Sequence, residues 1–156
     1  MTQPLLVTGA HRSGSTWVGR MMAAGGAYTY ISEPLNVNSR RGLMRVAVNH
    51  WYTYINKDNE AEFLPASQDT LALRYQWGPK LRSIRSLRET GRMLRDASVF
   101  TLGRWTNRTP LLKDPFAAFS ASWFAERLGM RILFTVRHPA AFASSLKKLG
   151  WNFSFQ

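Results

Sequence analysis

The segment from Pro4 to Met22 limits the choice of folds more than any other part of the chain. Pro4 to Thr8 is a short apolar run suited to a buried strand. Gly9-Ala10-His11-Arg12-Ser13-Gly14-Ser15-Thr16 makes a glycine-containing turn. Thr16, Trp17, Val18, Met21 and Met22 then follow at roughly helical spacing until Gly25 and Gly26 end the helix. A strand that turns through glycines into a helix points backbone N–H groups and a helix N-terminus at the space beyond the strand, which favours an anion such as phosphate. The glycine spacing is that of a P-loop, but Ser15 stands where a nucleotide triphosphatase needs its lysine, and the cation of the loop is Arg12. Two glycines alone would mean only a tight turn; position, hydroxyls and cation together make the anion site.

The rest of the chain repeats the alternation of strand and helix. Tyr28 to Ile31 is β-prone and leads into Ser32, Glu33 and Pro34, where the proline disfavours helix, so a second strand ends at Glu33. Met44, Ala47, Val48, Trp51 and Ile55 fall at helical spacing and predict a helix from about Arg41, with His50 a partly buried structural residue on it. Residues 56–79 show no clear period. Thr109 to Lys113 reads as a third strand. Asp114 and Pro115 are an N-cap and first-turn pair for a helix carrying Phe116, Phe119, Trp123, Phe124 and Leu128, with Gly129 as its stop. Arg131 to Val136 is the strongest strand candidate, and Pro139 opens a last helix through Phe142 and Leu146. Most tryptophan and phenylalanine positions at helical spacing are expected in the core. This alternation predicts an α/β fold with a central parallel sheet flanked by helices, whose ligands lie at the carboxyl ends of the strands. Arg12, Glu33, Lys113 and Arg137 all fall there.

The formal charge is +12 and points to anionic partners without choosing among them. Part of the excess lies in Lys80, Arg82, Arg85, Arg88, Arg92 and Arg95, interleaved with Leu81, Ile84, Leu87 and Leu94, a spacing that predicts an amphipathic helix with an arginine face. There is no cysteine, which excludes disulfides and thiolate metal sites; a reducing cytoplasm is compatible with this and is the expected compartment. No leader and no membrane-spanning run is evident, so a soluble chain is expected.

His11-Arg12-Ser13-Gly14-Ser15-Thr16-Trp17, with Val136-Arg137-His138-Pro139 and Ser144-Ser145, resembles the sulfotransferases that use 3′-phosphoadenosine 5′-phosphosulfate (PAPS). The first motif is similar to that family's 5′-phosphosulfate loop, matched from Arg12 to Trp17. The second is similar to its 3′-phosphate motif, an arginine at a strand end and a serine eight residues on, here Arg137 and Ser145. A guanidinium that forks onto phosphate oxygens beside a helix start is physically apt for that task. The resemblance covers most of the chain and is loose from Arg40 to Arg108. It implies a P-loop-like three-layer fold over residues 1–156, with 40–108 a helical, arginine-rich insertion on the acceptor side. Family members usually continue beyond the 3′-phosphate helix, so the domain is expected to be incomplete at its C-terminus.

The resemblance also implies a division of labour. His11 to Trp17, Arg137 and Ser145 would bind PAPS and its product PAP, with Trp17 packing on the nucleotide. Arg12 and Lys113 would stabilise charge on the leaving oxygen. The cytosolic small-molecule branch has a histidine base two residues beyond the lysine, where this chain has Pro115. The carbohydrate and tyrosylprotein branches are similar at Glu33, which would take the proton of the acceptor hydroxyl. The plain alternative for Glu33 is a strand-end carboxylate paired with a nearby arginine. No metal is expected, and the acceptor stays open between carbohydrate, lipid, peptide and small alcohol. Two rival readings remain. One is a non-enzymatic basic module that binds polyanions through the arginine face, without sequence-specific nucleic-acid recognition. The other is a P-loop phosphotransferase holding magnesium on Asp114, against the simpler N-cap role of that residue.

Overall fold

A computed structural model describes residues 3–38, 42–83 and 86–150. Four strands, β1 Leu5–Gly9, β2 Tyr28–Ser32, β3 Thr109–Lys113 and β4 Arg131–Thr135, pair in parallel in the order β2-β3-β1-β4. Val7 and Ser32 both lie opposite Lys113, and Gly9 lies opposite Thr135. All four carboxyl ends therefore open on one edge of the sheet, from which the segments bearing Arg12, Glu33, Asp114 and Arg137 emerge. The helices are α1 Ser15–Ala24, α2 Glu60–Leu71, α3 Trp77–Leu81, α4 Leu87–Trp105, α5 Ala121–Leu128 and α6 Pro139–Lys148, with a 3₁₀ turn at Pro115–Ser120.

The two-residue period of a strand divides the core into two layers. Leu5, Val7 and Leu111 pack with Val18 of α1 and with Tyr28, Tyr30 and Leu133 on one face. Leu6, Ile31 and Leu112 face the other way, against Phe63 of α2, Phe100 of α4 and Trp123 and Phe124 of α5. Apolar residues buried on both sides of the sheet are what an all-parallel sheet requires, each contributing on the order of 1.5–3 kcal/mol of transfer free energy. The fold is the expected P-loop-like α/β sandwich.

Between β2 and β3 the structure departs from the expected elements. The helix expected over Met44 to Ile55 is absent, because the same residues also carry a two-residue period: Met44, Val46 and Val48 turn inward while Arg45, Ala47 and Asn49 turn outward, and the chain runs as irregular backbone. His50 is exposed there. Conversely, α2 forms where no period was apparent. Its buried positions, Phe63, Ala66, Ser67 and Thr70, have helical spacing, but two of the four are polar. Thr70 hides its hydroxyl by donating to the carbonyls of Leu43, at 2.7 Å, and Ala66.

The continuous arginine-faced helix is also absent. Helix α3 stops at Leu81, and α4 restarts behind Ser86, whose hydroxyl accepts the Glu89 amide as an N-cap. Leu81, Leu87 and Leu94 are exposed, Leu87 to 92%, and the buried stripe of α4 is instead Met93, Ala97, Phe100 and Gly103. Ile84 and Arg85 lie outside the described residues. Strand β4 ends at Thr135, one residue short of Val136, and Trp51 and Phe119 are exposed, against the expectation that most aromatic positions at helical spacing fill the core, whereas Trp123, Phe124 and Phe116 meet it.

Candidate active site

The turn after β1 is built by close approach. Gly9 has φ 138°, and a Cβ there would sit 2.2 Å from the Thr135 carbonyl oxygen, so only glycine lets β1 and β4 converge at this point. Thr135 donates its hydroxyl to the Thr8 carbonyl at 2.9 Å, which leaves its oxygen to accept the Ser13 hydroxyl at 2.7 Å. The Ser13 amide meanwhile donates to Ala10 O. Gly14, with φ 96°, leads into α1 without any side-chain cap, so the amides of the first turn of α1 are presented at the mouth of the loop.

Two motifs 125 residues apart in sequence are interlocked here. The Arg12 Nε donates to Ser145 Oγ at 3.0 Å, and Arg137 Nη1 donates to the Arg12 carbonyl at 3.0 Å. Arg12 and Arg137 are exposed, whereas Ser145 is buried in the second half of α6, which opens with Pro139 behind a His138 cap. Ser15 is buried at the start of α1, Thr16 is exposed, and Trp17 is 68% exposed beside the loop.

A second cluster lies at the ends of β2 and β3. Lys113 Nζ meets Glu33 Oε1 at 2.5 Å, with the lysine side chain 4% and the glutamate 27% exposed. Among the described residues Glu33 is thus paired with a lysine, Lys113. Its other oxygen accepts from Asn36 Nδ2 at 3.0 Å. Glu33 adopts φ 54°, and its amide donates to the Lys113 carbonyl at 2.7 Å. Asp114 faces the opposite way. It is fully buried, accepts the Leu35 amide at 2.6 Å on one oxygen and the Phe116 amide at 2.9 Å on the other, and caps the 3₁₀ turn. Burial pushes its carboxyl up to about 7, against the two amide hydrogen bonds. Asp114 thus fills the N-cap role, the simpler of the two readings of this residue. Among the described residues no group of three or more His, Asp or Glu side chains is placed to hold a metal, and no helix is long and apolar enough to cross a membrane.

His11 stands between the two clusters. Its Nδ1 is hydrogen-bonded to the Tyr52 hydroxyl, and its ring packs against Phe116 with centroids 4.6 Å apart. Burial lowers its pKa, with Glu33 opposing and Lys113 reinforcing that shift, so the ring senses both members of the ion pair. Tyr52, Asn36 and Thr135 were not anticipated from the sequence. Tyr52 lies in the segment expected to be helical, and its contact spans 41 residues. Thr135 carried one usable signal, a hydroxyl at a strand end directly before the Val136-Arg137 motif.

Fold and site together define a P-loop-like α/β protein whose loop after β1 carries Arg12 and has Ser15 in place of the P-loop lysine. The model of the sulfotransferase family matches residues 4–156, and the chain belongs to that family. No curated protein and no solved structure matches it.

Proposed function

We propose that the chain transfers the sulfuryl group of PAPS to an acceptor hydroxyl. The observation that carries this reading is the Arg12–Ser145–Arg137 interlock, which joins the two residues suited to a 3′-phosphate to the cation of the 5′ loop. In this reading the α1 amides, Thr16 and Arg12 hold the 5′-phosphosulfate, Arg137 and Ser145 hold the 3′-phosphate, and Trp17 lies along the nucleotide. Ser13 and Ser15 shape the loop more than they touch the donor, since Ser13 has committed its amide and its hydroxyl to neighbours.

The acceptor oxygen attacks sulfur, the bond from sulfur to the bridging phosphate oxygen breaks, and PAP leaves with the bonding electrons. The acceptor proton passes to Glu33. Without donor, Lys113 neutralises Glu33; the sulfuryl oxygens and the charge building on the bridging oxygen draw the Lys113 ammonium away and release the base. The acceptor approaches past the residues following β2, where a cleft lined by Asn36, Asn38, Tyr75, Lys80 and Arg92 opens beside the Glu33 partner Asn36. Residues 40–108 thus contribute to the acceptor side. Among the described residues the basic side chains between Lys80 and Arg95 are divided between α3 and α4, so they do not line the single helix that the polyanion-module reading assumed.

Calorimetric titration of PAP in EDTA, with ADP as control, tests the reading. Preference for PAP that disappears in Arg137→Ala is expected; equal binding of PAP and ADP by the folded chain overturns it.

A further inference from the structure

The Tyr52 hydroxyl and His11 Nδ1 form a contact whose direction can be argued from its chemistry. A phenol is the stronger acid of the two partners, with a pKa of about 10, and a pyridine-type imidazole nitrogen is a better acceptor than a phenolic oxygen. Burial opposes ionisation of the Tyr52 hydroxyl, so the phenol keeps its proton. Its hydrogen therefore points at Nδ1. A neutral imidazole that accepts at Nδ1 carries its own hydrogen on Nε2. Tyr52 is itself held firmly, with φ 56° and its ring against Phe116 and Phe119 at 5.6 Å each.

We propose that Tyr52 is a positioning residue which locks His11 in the neutral Nε2–H tautomer, so that His11 serves as a hydrogen-bond donor to the sulfuryl oxygens of the bound donor and not as a base. The groups facing His11 fit this role: Phe116 and Tyr52 flank the ring, and Glu33 and Lys113 both act on its charge. A neutral donor stabilises negative charge without repelling Lys113, and an imidazole already carrying the Nε2 hydrogen leaves the acceptor proton to Glu33. The proposal deepens the sulfotransferase reading and rests on it.

The test uses the whole chain and four forms: wild type, Tyr52→Phe, His11→Gln and the double variant. In ¹⁵N-labelled protein near neutral pH, wild-type His11 is expected to show a protonated Nε2 and a bare Nδ1, and Tyr52→Phe a mixture of tautomers. Affinity for PAP should stay within about 2-fold in Tyr52→Phe, while affinity for PAPS falls about 5- to 10-fold, as for loss of one oriented hydrogen bond. His11→Gln, which keeps an N–H near the Nε2 position, should retain most PAPS affinity, and adding Tyr52→Phe to it should cost no more. A protonated Nδ1 in wild type overturns the proposal, as does equal loss of PAP and PAPS affinity in a folded Tyr52→Phe. If wild type binds neither nucleotide, the PAPS reading fails and the donor role of His11 falls with it, whereas the tautomer measurement still decides the lock itself.

Discussion

Glu33→Gln removes one charge of a pair whose other member is almost wholly buried, and the consequences for stability and for catalysis separate cleanly. Lys113 has a 4% exposed side chain and its ammonium lies 2.5 Å from the Glu33 carboxylate. Breaking a buried pair from one side costs about 3–5 kcal/mol because the remaining charge is uncompensated. Glu33 is 27% exposed, so water reaches its end of the pair and the cost belongs near the lower limit, about 2–3 kcal/mol. That corresponds to a fall in Tm of roughly 4–12 °C for a chain of this size. Glu33→Gln/Lys113→Met removes both charges and keeps the volume, and is expected to recover to within about 1 kcal/mol of wild type, giving a coupling energy of about 2 kcal/mol. Urea unfolding of wild type, both single variants and the double variant measures this cycle. Sulfuryl transfer should be lost in Glu33→Gln and stay lost in the stable double variant. Unfolding of Glu33→Gln within 0.5 kcal/mol of wild type would refute the buried pair; turnover by the double variant near the wild-type rate would refute Glu33 as base.

Other outcomes follow from single contacts. Gly9→Ala places a Cβ against the Thr135 carbonyl at φ 138° and should destabilise by about 3 kcal/mol or more, whereas Gly25→Ala, with open space around it and φ −71°, should be nearly neutral in the same denaturation assay. Thr135→Val removes the hydroxyl that links Ser13 to Thr8 and is expected to weaken PAP binding about 5- to 10-fold with under about 2 kcal/mol lost in stability. Asp114 is raised in the fold from 3.8 to about 7, so the folded state favours its neutral form. Its ionisation costs stability above pH 7, and that cost is relieved as pH falls towards 3.8, by roughly 4 kcal/mol at most. The Asp114 contribution, read as the unfolding free energy of wild type minus that of Asp114→Asn, should therefore rise as pH falls from 8 to 5.5 while the lowered His11 acts equally in both; a difference flat over this window would be the contrary result.

What was legible in the sequence depended on how local the determinant was. The strands at Leu5–Gly9, Thr109–Lys113 and Arg131–Thr135 announce themselves by apolar runs bounded by glycine, proline or charge, and the Asp114-Pro115 pair does cap the next turn. The helix expected over Met44 to Ile55 does not form because Met44, Val46 and Val48 satisfy a two-residue period as well as Met44, Ala47 and Val48 satisfy a helical one; β-branched Val46 and Val48 and the tertiary contact tip the balance. Helix α2 escaped because Ser67 and Thr70 are inside, and a buried hydroxyl is invisible to hydropathy until its acceptor, here Leu43 O, is known. The candidate site follows the same rule. Arg12, Glu33, Lys113, Arg137 and Ser145 stand out at strand ends and in motifs, and Asn36 is a local neighbour of Glu33 that carries no motif, but Tyr52 owes its place to a loop that only the folded chain brings back.

Adjacent residues at the end of β3 show how the sheet separates chemistry from support. Lys113 and Asp114 are both charged in sequence, yet successive side chains of a strand face opposite ways. Lys113 pairs with Glu33, and its carbonyl accepts the Glu33 amide. Asp114 turns into the core, where it accepts the amide of Leu35, two residues beyond Glu33. Glu33 is thus bracketed by hydrogen bonds on both sides, which is what holds a non-glycine residue at φ 54° against a strain of about 1–3 kcal/mol. The carboxylate that looked like a metal ligand acts as the clamp that keeps another carboxylate in place. Loosening that clamp, as in Asp114→Ala, should therefore impair transfer through Glu33 without any contact between Asp114 and the donor, while Arg137→Ala should impair donor binding and leave the Glu33–Lys113 pair intact.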